Sequence, residues 1–345
     1  MKIIVCLGTG GVGKTSVAAA LAWNAAGAGC KTLVLTIDPA RRLRTVLGLD
    51  LQRGEHRVEL PVPGEFWAAQ LDVEHTLEQA VRLYGRPGQV DRVLHHSIYR
   101  MLVSSLAGMQ ELMAIEYLDQ VMHRGFDTVV VDTAPSRHAF EFLEKPERFA
   151  ELVEFPLVRL VGKSYRFWAD SVFGRWGRRS LDLYARLEEL VGTGVIADVL
   201  EFYSLFRTIA EGYAERARKT VERLRRDGNF WVVTVPAKAV KDVQHFYDGL
   251  RSRGFPVQGV IVNRMFPRFA PDDPERFRDV WEWCRDLNAE HEAVWEELQS
   301  RWGDVLELRR LNELPATGQG IDLVKALAAG LASPTEHPLA FGQQR

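Results

Sequence analysis

The stretch "LGTGGVGKTS", residues 7–16, constrains the fold of this chain more than any other. It follows "KIIVCLG", an apolar run typical of a parallel strand buried on both faces, and it precedes an alanine-rich helical stretch from Lys14 to about residue 26. The spacing Gly8-x-x-x-x-Gly13-Lys14-Thr15 is that of a phosphate-binding P-loop. A second apolar run, "KTLVLTID", completes a βαβ unit. The sequence therefore predicts an α/β fold.

The residue types of the loop are those that nucleotide phosphates require. Glycines let backbone N–H groups approach phosphate oxygens, and the following helix points its positive end at them. Lys14 is predicted to contact the β- and γ-phosphates as a catalytic residue, and the Thr15 hydroxyl to bind Mg²⁺. A glycine-rich turn without a ligand is the alternative, which the flanking strand and helix disfavour. The predicted nucleotide-binding residues of the loop are Gly10, Gly11, Val12, Gly13, Lys14, Thr15 and Ser16.

Two aspartates end predicted buried strands. Asp132 ends "FDTVVVD" and is predicted to hold Mg²⁺ through a water molecule. Asp38 ends "KTLVLTID" and is predicted to orient or activate the attacking water as a catalytic residue. For both residues the alternative is a turn former, and the Asp-Pro pair at 38–39 is a common turn opening. The two positions indicate a nucleotide site that uses Mg²⁺ as a cofactor.

The rest of the chain alternates between strand and helix patterns, with one long exception. Between Asp132 and Phe230 the apolar residues recur only at helical spacing, and "GYAERARKTVERLRRDG" predicts a charged helix that closes at Gly228. Further strands are predicted at 66–72, 230–236, 257–265 and 304–308, and helices at 74–84, 89–123 and 321–332. The predicted domains are a P-loop domain over 1–144 and 229–332, a helical insertion over 145–228 and a disordered tail over 333–345.

Composition and charge narrow the function. The 345 residues carry a net charge of −2, so no basic field indicates nucleic acid as a partner. The three cysteines, Cys6, Cys30 and Cys284, form no CxxC pair, which disfavours a zinc site and fits a reducing compartment. No apolar run approaches the length of a membrane span. A cytoplasmic location is expected.

Four segments in order, "GTGGVGKTS", "TIDPARRL", "VVVDTAPSRHAFEFLEKPE" and "VIVNRMFP", resemble the ArsA family of P-loop ATPases over nearly the whole chain. The resemblance implies a mostly parallel sheet flanked by helices with an inserted helical subdomain, and hydrolysis of ATP with Mg²⁺. It implies that Asp38 is the water-positioning residue of switch I and that residues 132–138 are switch II. It further implies that Asn263 recognises adenine and that the Leu314-Pro315 loop encloses the base. For Asn263 the alternative is a turn residue at a strand end.

The loop departs from the family at its second position. The resemblance implies KGGVGKT, whose first lysine reaches the partner's phosphates in a nucleotide-dependent homodimer, whereas this chain has Thr9. A hydroxyl cannot supply the positive charge that stabilises the transition state. The nucleotide-dependent homodimer that the resemblance implies would therefore lack this lysine contact, and hydrolysis is expected to be slow without a partner. Other cations that could replace the lysine are Arg41, Arg42 and Arg137.

Three functions compete for the energy of hydrolysis. Residues 151–177 are dense in aromatic and aliphatic side chains, which predicts either a local core or a groove for a hydrophobic protein client that moves with switch II. The first function is a carrier of hydrophobic protein segments. The second is the ATPase subunit of an anion (arsenite-like) efflux pump with a membrane-protein partner, although three scattered cysteines disfavour an arsenite site. The third is a MinD/ParA-like positioning ATPase, which the short, nearly uncharged C-terminal helix disfavours.

Overall fold

The computed structural model describes residues 1–38, 40, 42–51, 53–104, 109–134, 140–154, 195–267, 278–314 and 320–332. Several predictions lie outside these residues. They concern Pro315, Arg41, Arg137, the apolar stretch from residue 155 onward and the tail from residue 333.

Eight strands form one sheet, in which only the pair at one edge is antiparallel. The strand order is β3-β4-β2-β5-β1-β6-β7-β8, and every neighbouring pair except β3 with β4 is parallel. The prediction of an α/β fold with a mostly parallel sheet is confirmed. The strands are β1 (Lys2–Leu7), β2 (Lys31–Thr36), β3 (Glu55–Val58), β4 (Glu65–Gln70), β5 (Thr128–Asp132), β6 (Gly228–Thr234), β7 (Val257–Met265) and β8 (Glu307–Asn312).

Helices join the parallel strands. The helix predicted at 321–332 is confirmed with the same bounds. The described part of the region 89–123 is helical in three stretches, and the extended His96 separates the first two. None of the described helices is long and apolar enough to cross a membrane. The helices are α1 (Lys14–Gly27), α2 (Arg42–Leu47), α3 (Val73–Tyr84), α4 (Val90–His95), α5 (Ser97–Ser104), α6 (Gln110–Met122), α7 (Glu141–Glu154), α8 (Val195–Asp227), α9 (Ala239–Ser252), α10 (Arg278–Trp302) and α11 (Ile321–Ala332).

The structure corrects two local predictions and adds one strand. Strand β3 was not predicted, because its sequence EHRV has no apolar run and it lies at the sheet edge. Strand β8 begins later than the predicted 304–308. The prediction missed its true bounds because Arg309, a charged residue, is buried inside the strand, where its guanidinium donates to the Leu331 carbonyl oxygen at 2.9 Å. Helix α8 ends at Asp227, and Gly228 already pairs with Ile3 in the sheet. A Cβ on Gly228 would clash with the Leu224 carbonyl, so close approach is what requires glycine there.

Helix α1 is held rigidly, which matters because the phosphate-binding loop leads into it. Its alanines at 18, 19, 20 and 22 are completely buried in the main hydrophobic core. Alanine combines high helix propensity with a small side chain, so neighbouring elements can approach closely. The Asn24 side chain also donates to the Ala328 carbonyl oxygen in α11 at 2.9 Å. The loop therefore has a fixed support at its C-terminal end.

The described residues group into two compact units. One contains Met1–Leu71, Val121–Phe140 and Glu222–Arg345, and the other contains Asp72–Gln120 and Glu141–Val221. The whole of the sheet and the phosphate-binding loop belong to the first unit. The domain boundaries drawn from the sequence at 144 and 228 stay a prediction.

The second unit contains a buried polar cluster. Glu116 is only 1% exposed, and its carboxylate accepts hydrogen bonds from the Tyr84 hydroxyl at 2.9 Å and from the Gln120 amide at 3.0 Å. Nearby, Asp119 is paired with Arg216 and accepts a hydrogen bond from Thr220 at 3.0 Å. Burial raises the pKa of Glu116, the Gln120 and Tyr84 hydrogen bonds lower it, and Asp119 and Arg216 act in opposite directions. The unit therefore folds around a carboxyl group that burial favours in its protonated form.

Replacing Glu116 with Gln is expected to stabilise the protein at pH 8 by on the order of 1 kcal/mol. A raised pKa in the folded state means that ionisation of Glu116 opposes folding: the cost is absent below its ordinary value of 4.5 and grows as the pH rises through the folded pKa. Glutamine keeps an acceptor for the Tyr84 hydroxyl. Urea unfolding between pH 4 and pH 8 measures the difference, which should shrink toward pH 4. The exposed Glu222→Gln is the control, and an E116Q protein less stable than the wild type at pH 8 contradicts the account.

Candidate nucleotide-binding site

The loop between β1 and α1 is shaped by close approaches of its glycines. Gly11 and Gly13 have φ angles of 81° and 87°, in the left-handed region that favours glycine. A Cβ on Gly13 would clash with the Asn263 side chain, and a Cβ on Gly8 would clash with the Val233 carbonyl oxygen. The glycine spacing seen in the sequence thus follows from contacts with the neighbouring strands β6 and β7.

A cavity of about 340 Å³ opens over the loop and brings several predicted residues together. Lys14, Thr15 and Asp38 line it, and so do Arg42 and Thr133. A second cavity of about 170 Å³ is lined by Asn263 and by apolar side chains including Leu314, Leu323 and Leu327. The two cavities share the lining residues Gly13, Ser16 and Arg264. Both cavities are therefore lined by polar and charged residues, Glu313 among them in the smaller one, and the smaller one also has a wall of leucines.

Asp132 lies at the end of β5 beneath the loop and is completely buried. Its Oδ2 accepts hydrogen bonds from the hydroxyls of Thr15 at 2.8 Å and Thr36 at 3.0 Å. Its Oδ1 is buried and has no hydrogen-bond partner within the described part of the chain. Burial raises the pKa of Asp132 to about 6, against the hydrogen bonds from Thr15 and Thr36 and the charge of Lys14.

These groups fit a magnesium ion. Mg²⁺ prefers hard oxygen donors and is usually held by one or two carboxylates together with substrate phosphates and water. A buried carboxylate oxygen that lacks a partner calls for a cation or a water molecule to satisfy it. Because the Thr15 hydroxyl donates its hydrogen to Asp132, its lone pairs stay available to a metal. The predicted roles of Thr15 and Asp132 are consistent with this geometry and stay predictions.

Asp38 lies just after β2, is 5% exposed and lines the larger cavity. Its Oδ1 accepts a hydrogen bond from the Ala40 N–H at 3.0 Å, which is the bond of an Asp-initiated turn. Its Oδ2 is 3.4 Å from the Arg42 guanidinium. The geometry therefore agrees with the turn-former interpretation and also leaves Asp38 facing the cavity, so its catalytic role stays a prediction.

Lys14 and Thr9 are linked within the loop. The Lys14 Nζ, buried with its side chain, donates to the Thr9 carbonyl oxygen at 3.1 Å. Burial lowers the pKa of Lys14, while the carboxylates of Asp132 and Asp38 oppose that shift. The Thr9 hydroxyl donates to Oδ2 of Asp242 in α9 at 2.9 Å, and the Thr234 hydroxyl donates to the same oxygen at 3.0 Å. Thr9 is therefore anchored to a buried carboxylate of its own chain.

Asn263 lies inside β7, so it is not the turn residue that the alternative interpretation supposed. It is 6% exposed, and its Nδ2 donates to the Val12 carbonyl oxygen of the loop at 2.9 Å. It also lines the cavity with the apolar wall, together with Leu314. Its contact with adenine stays a prediction, and Pro315, the other residue predicted to enclose the base, is outside the described residues.

Two residues of the site were missed by sequence reasoning. Asp242 lies 233 positions after Thr9, in a helix whose sequence pattern gives no sign of a contact with the loop. Arg264 follows Asn263 directly. The predicted role of Asn263 was the one sequence signal that could have indicated Arg264 as a site residue. Both belong to the same compact unit as the loop.

Comparison with known proteins finds similarity to ATPases. A family model described as anion-transporting ATPase matches residues 1–331. The chain is 27% identical over 292 residues to ATPase GET3B of Arabidopsis thaliana, a match covering 77% of this chain and 64% of that protein. It is 25% identical over 284 residues to putative arsenical pump-driving ATPase 2 of Aquifex aeolicus, covering 79% and 83%. It is 26% identical over 289 residues to ATPase GET3C of Arabidopsis thaliana, covering 77% and 67%.

Proposed function

The chain belongs to the ArsA family of anion-transporting ATPases, and from that premise we propose that it is a Mg²⁺-dependent ATP hydrolase. The observation that carries the proposal is the buried Oδ1 of Asp132 beneath the phosphate-binding loop, which has no hydrogen-bond partner among the described residues. It combines with the Lys14 ammonium, the Thr15 hydroxyl and the cavity that both line. The relatives named above are all described as ATPases.

Each side chain has a part in the proposed reaction. Loop N–H groups and the Lys14 ammonium bind the β- and γ-phosphates and offset their charge as the bond to the γ-phosphate breaks. Asp38 accepts a hydrogen bond from the attacking water and aligns it with the γ-phosphorus. For this, the ion pair between Arg42 and Oδ2 of Asp38 must open so that this oxygen can accept from the water. Magnesium bound by Thr15 and Asp132 would neutralise phosphate charge. Asn263 and Leu314 hold the base.

Calorimetric titration of ATP into the purified chain, with Mg²⁺ and then with excess EDTA, tests the binding half of this proposal. One site per chain is expected, with affinity at least about tenfold weaker in EDTA, because the metal and the carboxylate would no longer act together. No heat with ATP in either condition at two well-separated temperatures, which excludes binding with zero enthalpy, refutes the proposal. Equal affinity for ATP with Mg²⁺ and with EDTA contradicts the assignment of Thr15 and Asp132 as a metal site.

We also propose that hydrolysis is slow because no lysine occupies position 9, and that a homodimer forms when nucleotide binds. Thr9→Lys alone is expected to change kcat less than about threefold, because the new ammonium would pair with the buried Asp242 carboxylate in its own chain. The double variant Thr9→Lys/Asp242→Asn is expected to have a higher kcat than Thr9→Lys alone, because the new lysine has no carboxylate to pair with. The amide oxygen of Asn at position 242 can still accept the hydrogen bond from Thr234. The measurement is kcat at several protein concentrations, with the exposed Asp248→Asn in the Thr9→Lys background as control. A tenfold acceleration by Thr9→Lys alone contradicts the pairing.

For what hydrolysis drives, we propose a carrier of hydrophobic protein segments, with ATP coupled to motion of helices through switch II. A cavity of about 120 Å³ in the second unit is lined entirely by nonpolar surface, from side chains such as Leu77, Leu112, Met113, Phe206 and Ile209. Such a cavity suits apolar side chains of a client. An environment-sensitive hydrophobic dye should bind differently in the ATP and ADP states, and identical dye binding in both contradicts the carrier.

The alternative is the ATPase subunit of an anion pump with a membrane-protein partner, which the description of the Aquifex relative favours. Arsenite binds clustered thiolates, yet Cys6 in β1 is completely buried and burial raises its pKa, which disfavours the thiolate. Cys30 is half-buried before β2 and Cys284 is in α10. Stimulation of hydrolysis by arsenite that a cysteine-free variant loses would favour the pump. A MinD/ParA-like positioning role is a third proposal, with no specific contact among the described residues to support it.

A further inference from the structure

Arg264 has a backbone conformation that its residue type does not favour. Its φ angle is 59°, and it is the only non-glycine residue in the described part of the chain with a positive φ. Non-glycine residues in the left-handed region carry strain, which persists where the surrounding structure imposes it and is frequent at functional sites. The positive φ of Arg264 therefore suggests that this residue has a functional role.

The strand register changes at the same place. Pairing between β7 and β8 shifts between Val262 and Met265, so that Asn263 and Arg264 fall in an irregularity of the ladder. Irregularities of this kind re-aim a side chain and are frequent next to active sites. At this irregularity Asn263 is buried against the loop and Arg264 is exposed, yet both line the smaller cavity, and Arg264 lines the larger one as well.

The lining residues define where along a nucleotide Arg264 would lie. Lys14, Thr15 and Asp38 line only the larger cavity, at the end proposed for the β- and γ-phosphates. Asn263 and Leu314 line only the smaller one, proposed for the base. Gly13, Ser16 and Arg264 line both, so they mark the junction where the α-phosphate and ribose would lie. No other arginine or lysine is shared by the two cavities among the described residues.

We propose that Arg264 is a nucleotide-binding residue whose guanidinium donates to the α-phosphate at the junction of the two cavities. The side chain is exposed, and it forms no ion pair with another residue in the described part of the chain. Arginine presents a planar array of donors that matches phosphate oxygens. The strained backbone would be retained because it delivers this cation. The proposal rests on the proposed nucleotide site and adds to it a binding contact in the same chain, remote from the bond that breaks.

Titrations of ADP and ATP with Mg²⁺ into three variants test this. Arg264→Asn removes the charge with a residue that tolerates the left-handed region, Arg264→Gly also relieves the strain, and Arg264→Lys keeps the charge. We expect the asparagine and glycine variants to raise Kd for both nucleotides about tenfold or more, the usual cost of losing a hydrogen bond to a charged group. The lysine variant should recover most of the affinity. Because the α-phosphate takes no part in the cleavage, KM should rise while kcat stays within about threefold.

Thermal unfolding without nucleotide separates binding from folding. Arg264→Gly should unfold at the wild-type temperature or above, yet show a smaller upward shift with ADP. The exposed Arg251→Ala in α9 is the charge-matched control and should behave as the wild type. Wild-type protein that binds no nucleotide refutes the proposed function itself. Wild-type binding with an Arg264→Asn affinity within about threefold, or a kcat loss at unchanged KM, overturns only this inference.

Discussion

Asp38→Asn is expected to lower kcat for ATP hydrolysis by about 10²–10⁴-fold, the usual contribution of a general base, and to leave the Kd for ATP within about threefold. Asparagine has the same shape, and its Oδ1 can accept the hydrogen bond that the Ala40 N–H makes to Asp38 at 3.0 Å. It cannot offer the attacking water a charged acceptor. The turn is therefore kept while the proposed chemistry is removed.

This substitution separates the two interpretations of Asp38. If Asp38 only forms the turn, asparagine preserves the 3.0 Å bond and kcat stays above about a third of the wild-type value. Steady-state phosphate release and an ATP titration on the same preparation give kcat and Kd independently. The control is Asp50→Asn: Asp50 is 77% exposed and paired with Arg44, outside the cavity, so its loss should leave kcat unchanged.

Lys14→Ala is expected to weaken ATP binding by about 10²-fold or more, because charge-assisted hydrogen bonds to two phosphates are lost together. The ammonium donates to the Thr9 carbonyl oxygen at 3.1 Å within the loop, and Lys14 lines the cavity proposed for the phosphates. Its removal also takes away a positive charge that lowers the pKa of the buried Asp132 carboxylate, so that pKa should rise further above about 6.

The Lys14 prediction is tested by comparing ATP binding to Lys14→Ala with ATP binding to a control variant. Calorimetric titration should find no saturable ATP binding to Lys14→Ala at concentrations that saturate the wild type. Lys219→Ala, in which a lysine paired with Glu215 on the exposed side of α8 is removed, should bind ATP as the wild type does. If Lys14→Ala binds ATP within about threefold of the wild type, the loop does not hold the β- and γ-phosphates as proposed.

Much of the site was predictable because its signals are local. The loop lies between an apolar strand and an alanine-rich helix, and Asp38 and Asp132 each follow a run of buried strand residues. Carboxyl ends of parallel strands meet at one edge of a sheet, so residues that end neighbouring strands come together. Since β2, β5 and β1 are adjacent in the sheet, three short sequence patterns sufficed to predict that these groups converge.

The remaining contacts depend on distant parts of the chain. Nothing near Thr9 indicates that its hydroxyl is bound by Asp242. Nothing near Arg309 indicates that a carbonyl of α11 accepts from its guanidinium, in addition to the pair with the neighbouring Glu307. The register shift that directs Arg264 toward the cavities arises from pairing with β8, a strand that the sequence placed too early. Tertiary pairing, which residue patterns do not carry, decided each of these features.

Single-turnover hydrolysis tests the central claim most directly. The purified chain, in excess over ATP labelled at the γ-phosphate and with Mg²⁺ present, should release the label in a single exponential phase. Release should be lost in EDTA, and it should slow by about 10²-fold or more in Asp38→Asn at protein concentrations that still bind ATP. Excess enzyme makes even a slow rate visible, and the slower release in Asp38→Asn excludes a contaminating ATPase. Bound ATP that stays intact in the wild type, or label release that Asp38→Asn leaves unchanged, would contradict an ATP hydrolase built on Lys14, Asp38 and Asp132.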